Sequence, residues 1–262
     1  MMAHRAPLIV ALRVPGSAVP LSPRQAAPTI ETMTTTLITG ANKGLGHEAA
    51  RRLVAEGHDV WVAARDADRG KAAADALGAR FVVLDVRDEE SVAAAAEHVG
   101  ANGGLDVLVN NAGIAYPPDG LENDSPAAIA AILDTNVVGI ARVTHAFTPL
   151  LERSGNPVIV NVSSGMGSIA STTDPDRIES TIASLGYASS KAAVNMLTTQ
   201  YAKALPGMRV NAVDPGYTAT DFNGHSGPQT VEEGTDAMVE MAQVGPDGPT
   251  GTFTDRNGPA AF

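Results

Sequence analysis

The sequence predicts an α/β fold, a doubly wound parallel sheet of about seven strands with helices on both faces. From Thr34 onward, short β-branched runs alternate with Ala-rich helical stretches, as in repeated strand–helix–strand units. The strands, such as Arg80–Leu84 and Leu105–Asn110, are continuous apolar runs rather than alternating ones. Strands that helices cover on both faces have this pattern.

The same periodicity places each element along the chain. The predicted strands are Thr35–Thr39, Asp59–Ala64, Arg80–Leu84, Leu105–Asn110, Pro157–Val162, Met208–Val213 and a short one near Gly251–Thr254. The predicted helices are Leu45–Glu56, Ala67–Leu77, Glu89–Val99, a long one over Pro126–Leu151, Tyr187–Ala204 and Val231–Ala242. Gly78 is expected to end the second helix as a C-cap glycine. Asp124 and Ser125 are cap candidates for the long helix.

Length, charge and composition limit the class of protein. The 262 residues suit one large domain, which we place at 34–262. A net charge of −11 disfavours nucleic acid and anionic membranes as partners, and no apolar run has the length of a membrane span.

The absence of cysteine excludes disulfides and zinc–thiolate sites. The histidines show no metal-ligand grouping, so we expect no metal site. A cysteine-free chain fits a reducing cytosol, and we expect a cytoplasmic protein.

Residues 1–33 differ from the rest in their scattered prolines and in having no sustained periodicity. We expect a disordered extension or a mis-annotated start, because Met33 immediately precedes the first strand. A secretory signal is the weaker alternative, since its apolar run, Pro7–Leu12, is short and Arg13 interrupts it.

A glycine-rich turn joins the first strand to the first helix, with Gly40, Gly44 and Gly46 spaced as Gly-x3-Gly-x-Gly. Glycines here permit a tight turn, close approach of the main chain to a pyrophosphate, and close packing of helix on strand. The helix N-terminus then faces the phosphates. Alone such a turn is weak evidence, but between the first strand and helix of an α/β pattern it indicates a dinucleotide site.

Further motifs follow in order: Asp85 after the third strand, Asn110–Gly113 after the fourth, and Asn136 within the long helix. With these the sequence resembles the short-chain dehydrogenase/reductase family, in its compact single-domain branch with a Rossmann-type fold. The sequences Asn42-Lys43-Gly44 and Ala64-Arg65-Asp66 are most similar to the corresponding segments of carbonyl reductases. The resemblance covers residues 34–262.

The resemblance implies that Asp85 contacts the adenine and that Asn110–Gly113 lines the cofactor cleft. The implied cofactor residues are Gly40, Asn42, Lys43, Gly44, Leu45, Gly46, Arg65, Asp85, Val86, Asn111, Ala112, Gly113, Tyr187, Lys191, Pro215, Gly216 and Thr218. In this family the Pro-Gly-x-Thr segment after the sixth strand contacts the nicotinamide carboxamide.

The charge at the end of the second strand indicates which dinucleotide binds. NAD-preferring proteins place a carboxylate there for the ribose 2′-hydroxyl, whereas this chain has Ala64 followed by Arg65. A guanidinium pairs well with a 2′-phosphate, and Lys43 is a second cation for it. We therefore expect NADP(H), with NAD(H) the less favoured alternative. Asp66 beside Arg65 would weaken this preference, and both cations are alternatively solvated surface residues.

Tyr187 and Lys191 are the candidate catalytic pair, because residues i and i+4 share one face of a helix. A cation about 5 Å from a phenol would lower its pKa by roughly two units at an effective dielectric of about 20. That would bring Tyr187 toward the range of efficient proton transfer. Alternatively, Tyr187 and Lys191 are a pair of neighbouring surface residues on a helix, with no catalytic role.

The resemblance adds Ser164, at the end of the fifth strand, as the catalytic serine, whose hydroxyl donates to a substrate carbonyl. The alternative residue is Ser163, which would otherwise only form a hydrogen bond with a backbone group at the strand end. The resemblance also implies that Asn136 completes a catalytic tetrad with Ser164, Tyr187 and Lys191. In the family this asparagine holds a helix backbone carbonyl in position for a water that is linked to Lys191. A simple helix irregularity is the alternative for Asn136.

The expected function is NADPH-dependent reduction of an aldehyde, ketone or quinone at a Ser-Tyr-Lys(-Asn) site, with a small-molecule carbonyl or alcohol as the partner. Alcohol oxidation uses the same machinery and is the alternative. A non-catalytic NADP-binding redox sensor ranks lower because all four catalytic residue types are present. A sugar epimerase ranks lower because only 71 residues follow Lys191, too few for the extra substrate domain.

Ser164 and Tyr187 lie 23 residues apart, about ten more than in most compact family members. We expect this insertion, around Ile169–Ala183, to lie over the substrate cleft, as in carbonyl reductases. It leaves monomer and homo-oligomer both open. Three segments are expected to line a partly apolar substrate pocket: Ile114–Pro118, Met166–Ile182 and Tyr217–Pro228. Within the third segment, we expect Phe222–Pro228 to form a mobile lid.

Overall fold

A computed structural model describes residues 33–115 and 124–262 of the chain. Its sheet has eight strands in the order β3-β2-β1-β4-β5-β6-β7-β8. The first seven are parallel, and β8 pairs antiparallel with β7. The strands are β1 Thr35–Thr39, β2 Asp59–Ala64, β3 Arg80–Val83, β4 Val107–Asn110, β5 Val158–Val162, β6 Arg209–Val213, β7 Phe253–Asp255 and β8 Gly258–Pro259. The predicted doubly wound sheet is confirmed.

Helices connect the strands and cover both faces of the sheet. They are α1 Gly44–Ala55, α2 Ala67–Leu77, α3 Glu89–Ala101, α4 Pro126–Leu133, α5 Gly139–Leu151, α6 Ile169–Thr173, α7 Leu185–Ala204, α8 Val231–Gly234 and α9 Asp236–Ala242. One core cluster joins residues of α1, α2 and α9 to the sheet. The other joins α3, α5 and the end of α7 to the opposite face. The strands β1, β2, β4, β5 and β6 are therefore buried on both sides, which explains their continuous apolar sequences. At the edge of the sheet, β3 exposes Arg80 and Val83.

Capping residues set several helix boundaries as expected. Gly78 ends α2 in the left-handed conformation, at φ +66°. Ser125 accepts a hydrogen bond from the Ala128 amide and so caps α4, with Pro126 in the first turn. Asp66 caps α2 in the same way through the Arg69 amide, at 2.9 Å.

The long helix expected over Pro126–Leu151 is not continuous, because a π-helical segment, Asp134–Val138, separates α4 from α5. By length and composition alone the whole stretch would pass for a membrane span. Within it, Ile132, Val143 and Phe147 are buried against the rest of the protein, and 39% of its most apolar window is buried. The last predicted strand also shifts, from Gly251–Thr254 to β7.

The segment between Ser164 and Tyr187 folds into α6 and a 3₁₀ turn, Ile178–Thr181. Both elements are held mainly by local hydrogen bonds, such as that from Thr173 Oγ1 to the Ile169 carbonyl, at 2.7 Å. Ile169 is 73% exposed. The insertion therefore adds no layer to the core but precedes the helix that carries Tyr187.

We expect Phe147→Ala to lower the free energy of unfolding by about 3–5 kcal/mol, because Phe147 is fully buried between α5 and the sheet. Met196→Ala is the control, since Met196 is 61% exposed on α7 and its removal should change stability by less than about 0.5 kcal/mol. Urea unfolding followed by circular dichroism measures both. Equal losses in the two variants would contradict this account of the core.

Candidate active site

The glycine-rich turn leaves the carboxyl end of β1 with Gly40 at φ +66° and Gly44 at φ +58°, a region that side chains disfavour. A Cβ on Gly40 would lie 3.1 Å from the Ala112 Cα, and a Cβ on Gly46 would overlap the side-chain amide of Asn111. Glycine is therefore required here for both conformation and close packing. Asn42 and Leu45 are half-buried in the same turn.

Thr39, the last residue of β1, joins this turn to the end of β4. Its hydroxyl accepts hydrogen bonds from the Asn111 and Ala112 amides, both at 3.0 Å. The Asn111 side chain donates in return to the Thr39 carbonyl, at 2.8 Å. Thr39 was not predicted as a site residue, although a buried threonine directly before a glycine turn was a usable signal.

The residues around this turn fit a dinucleotide phosphate. Lys43 precedes α1 but provides no side-chain cap for it. The first amides of the helix therefore have no side-chain acceptor, and such amides bind phosphate oxygens. Gly40 and Gly46 bring the main chain close to this point without side chains in the way.

The two cations expected at the 2′-phosphate differ in their surroundings. Arg65 is exposed directly after β2 and forms no ion pair within the described ranges. Asp66 does not engage it, because the Asp66 carboxylate pairs with Arg69 at 2.8 Å. Lys43 contacts Asp221 of the segment after β6, at 3.2 Å.

Asp85 and Val86 follow β3 at the same edge of the sheet. The Asp85 carboxylate pairs with Arg87 at 2.8 Å, and this partner lowers its pKa. Val86 is buried against Gly139, at the start of α5. Asp85 therefore remains charged and half-exposed beside the cofactor turn.

Ser163 and Ser164 end β5 but point to different partners. Ser163 is buried and its hydroxyl donates to the Lys191 carbonyl at 3.2 Å, so it satisfies backbone. Ser164 is half-buried, and its hydroxyl accepts from the Met166 amide at 3.2 Å. The Ser164 hydroxyl is also close enough to the Tyr187 phenol to lower its pKa. The structure thus brings Ser164 and Tyr187 together.

Tyr187 and Lys191 lie on one face of α7, with the Lys191 Nζ 5.5 Å from the centre of the Tyr187 ring. Lys191 is buried, and its ammonium donates to the Val162 carbonyl at 2.8 Å. This hydrogen bond anchors α7 to the end of β5. Lys191 is buried and Tyr187 is half-buried, so they do not form a surface helical pair.

The expected fall in the Tyr187 pKa is wrong for this structure. Burial raises the pKa of Tyr187 to about 12, and the Ser164 hydroxyl only partly opposes that rise. Burial also lowers the pKa of Lys191 to about 8. Desolvation penalises the charged forms of both side chains, and at Tyr187 it outweighs the attraction of a nearby cation. Tyr187 is thus a neutral phenol at neutral pH.

Asn136 lies in the π-helical segment and is fully buried. Its Oδ1 accepts from the Ile114 amide at 2.8 Å, and its Nδ2 donates to the Ile114 carbonyl and the Ser190 hydroxyl, at 2.9 and 3.0 Å. A Cβ on Gly113 would lie 3.4 Å from Asn136 Oδ1 and 3.8 Å from Lys191 Nζ. The end of β4, Asn136 and Lys191 therefore meet at one point.

The segment after β6 carries the predicted carboxamide contact. Thr218 is buried, and its hydroxyl donates to the Pro215 carbonyl at 3.0 Å, which holds Pro215 and Gly216 in a tight turn. Beyond it, Phe222 lies with its ring centre 5.7 Å from that of Tyr187. This part of the expected lid therefore borders the catalytic pair.

Asp214 was not predicted as a site residue, yet it is 6% exposed and its charge acts on both Tyr187 and Lys191. An acid directly after a buried strand was the available signal. Of the expected pocket segments, Tyr116–Pro118 lies outside the described residues. Within the described part of the chain, no group of three or more potential metal ligands occurs.

Comparisons with known proteins identify the family. A sequence profile described as short chain dehydrogenase matches residues 34–230. A (+)-neomenthol dehydrogenase of Arabidopsis thaliana is 33% identical, over 88% of this chain and 99% of its own length. A (−)-isopiperitenone reductase of Mentha piperita is 31% identical, over 84% and 96%.

Among solved structures, the NADPH-bound carbonyl reductase from chicken fatty liver is similar with a TM-score of 0.78 and 29% identity, over 88% of this chain and 99% of its own. The profile match spans most of the chain, and the fold and the order of motifs agree with it. The resemblance inferred from the sequence is confirmed, and the chain belongs to the short-chain dehydrogenase family.

Proposed function

We propose that this protein is an NADPH-dependent carbonyl reductase that converts a small-molecule aldehyde, ketone or quinone to an alcohol. One observation carries the proposal: Ser164, Tyr187 and Lys191 converge where β5 meets α7. The uncapped N-terminus of α1 provides a phosphate site at the same edge of the sheet. Ligands of open α/β sheets bind at this edge, outside the carboxyl ends of the strands.

The cofactor proposed is NADP(H) rather than NAD(H). Ala64 leaves no carboxylate at the end of β2, and Arg65 is exposed without an ion pair in the described ranges. A free guanidinium suits bidentate contact with a 2′-phosphate. The chicken carbonyl reductase, described as NADPH-bound, supports the same choice.

Tyr187 and Ser164 have separate roles in the proposed reduction, both at the carbonyl oxygen of the substrate. The cofactor, when bound, supplies a hydride to the carbonyl carbon. Tyr187 retains its proton at neutral pH because burial raises its pKa to about 12, so it can donate that proton to the carbonyl oxygen. The Ser164 hydroxyl lies beside the phenol and can donate a second hydrogen bond to the same oxygen.

Lys191 supplies a positive charge beside the oxygen that gains electrons. Its ammonium is oriented by the Val162 carbonyl and lies 5.5 Å from the Tyr187 ring. In this buried position the charge favours phenolate formation as the proton leaves Tyr187. Asn136 fixes the backbone of Ile114 beside this group through two hydrogen bonds.

Alcohol oxidation is the reverse of this reaction and uses the same residues. Reduction is the direction we favour, because it requires the protonated phenol that burial stabilises. The relatives described as a reductase and as a dehydrogenase leave both directions within the family's chemistry.

We expect Tyr187→Phe to lower the rate of NADPH-dependent carbonyl reduction by roughly 10²–10⁴-fold, the usual contribution of a proton donor. Tyr201→Phe is the matched control, because Tyr201 lies on the same helix but in the core cluster. Turnover is followed by NADPH absorbance and cofactor binding by fluorescence. A fully active Tyr187→Phe variant would eliminate the proposed mechanism.

Arg65→Ala should raise the KM for NADPH roughly tenfold or more, because one charge-assisted contact with the 2′-phosphate is lost. The KM for NADH, which lacks that phosphate, should stay the same. Lys71→Ala removes a cation of α2 that already pairs with Asp75 and serves as control. Equal effects on both cofactors would remove Arg65 from the phosphate site.

The pH profile should report the charge on Lys191. The cationic form is required and exists below its pKa of about 8, so kcat/KM for reduction should fall as pH rises through that value. Stopped-flow rates from pH 6 to 10 measure the profile. A profile that stays flat across this range would show that the charge is not needed.

A further inference from the structure

Asp214 is a buried acid that the mechanism above leaves without a role. It follows β6 directly and is 6% exposed. Its amide donates to the Thr254 carbonyl of β7, at 2.9 Å, which fixes the backbone at the edge of the sheet. A carboxyl group at this depth requires partners to offset its desolvation.

The partners of Asp214 belong to the two loops that carry site residues. Its Oδ1 accepts from the Gly216 amide at 2.9 Å, in the segment expected at the nicotinamide. On the other side the Gly165 amide faces the carboxylate, and a Cβ on Gly165 would lie 3.0 Å from Oδ2. Gly165 follows Ser164, so one carboxylate links both loops.

The insertion covers this carboxylate from outside. A Cβ on Gly165 would also overlap the Glu179 Oε1, so Glu179 of the 3₁₀ turn and Asp214 both lie against Gly165. Arg177 pairs with Glu179 at 3.0 Å and also feels the charge of Asp214. The charge of Asp255 of β7 also acts on Asp214.

Asp214 is also next to the anchor of the catalytic lysine. Val162, whose carbonyl binds Lys191 Nζ, pairs in register with Val213, the residue before Asp214. The charge of Asp214 raises the pKa of Lys191 and opposes the lowering by burial. Burial raises the pKa of Asp214, and the charges of Glu179 and Asp255 add to that rise, while hydrogen bonds from the Gly216 and Gly165 amides oppose it. Neither Glu179 nor Asp255 is among the groups that shift the pKa of Lys191.

We propose that Asp214 is a positioning residue, whose carboxylate holds the Ser164–Gly165 loop against the Pro215–Gly216 segment and keeps Lys191 in its cationic form. The proposal rests on the proposed function for its effect on turnover. Its effect on Lys191 exists in the protein without cofactor and is measured there.

The test is the titration of Lys191 in the cofactor-free protein by NMR, with carbon-13 at the lysine ε-position. The chain has four lysines, and Lys191→Arg assigns the signal. Asp214→Asn keeps the shape of the side chain and removes its charge. We expect the Lys191 midpoint to move down by about one pH unit or more, because the variant lacks the negative charge that raises the Lys191 pKa.

Asp255→Asn is the matched control, because it removes an acid of the same cluster that does not act on Lys191. Its Lys191 midpoint should match that of the unmodified protein. The exposed Lys71 gives an internal reference in every sample. An unchanged midpoint in Asp214→Asn, or an equal shift in both variants, overturns the proposal.

Turnover provides the second measurement. Asp214→Asn should retain NADPH binding and shift the falling limb of kcat/KM to lower pH, while Asp214→Ala, which also lacks the acceptor for Gly216, should lower kcat roughly tenfold further. Equal kcat values in these two variants would contradict the positioning role. An active Tyr187→Phe variant would instead refute the proposed function and leave the Lys191 titration valid.

Discussion

The hydrogen bond from the Lys191 ammonium to the Val162 carbonyl is the contact on which the geometry of the proposed active site depends. It buries a cation at the junction of β5 and α7, which places Tyr187 one turn away on the same helix. The cost of burying this charge is visible in the pKa of Lys191, lowered to about 8. The surrounding polar groups, Asp214 above all, act to retain a charge that the apolar core alone would neutralise.

Much of the fold was predictable because it depends on local chemistry. Continuous apolar strands, the glycine turn and the cap at Gly78 are each determined by neighbouring residues, and each was predicted from them. The break at Asp134–Val138 was not, since the apolar periodicity of that stretch continues through it. It arises where Asn136 bonds to Ile114, a contact between distant segments.

The candidate site shows the same division. Ser164, Tyr187 and Lys191 follow from motifs, and the structure brings them together. The pKa of Tyr187 does not follow from spacing, because burial outweighs a nearby cation and depends on the whole site. Thr39 and Asp214 were missed for a related reason. Their importance lies in bonds to residues more than 40 positions away, which no local pattern encodes.

The ion pair between Lys43 and Asp221 connects the cofactor turn to the loop that carries Phe222, across the cleft between them. Both side chains are more than half exposed, so water already makes their attraction weak, and added salt weakens it further. A dinucleotide phosphate at Lys43 would compete for the same cation. The salt concentration of an assay is therefore a variable that acts on the cofactor site and on this loop together.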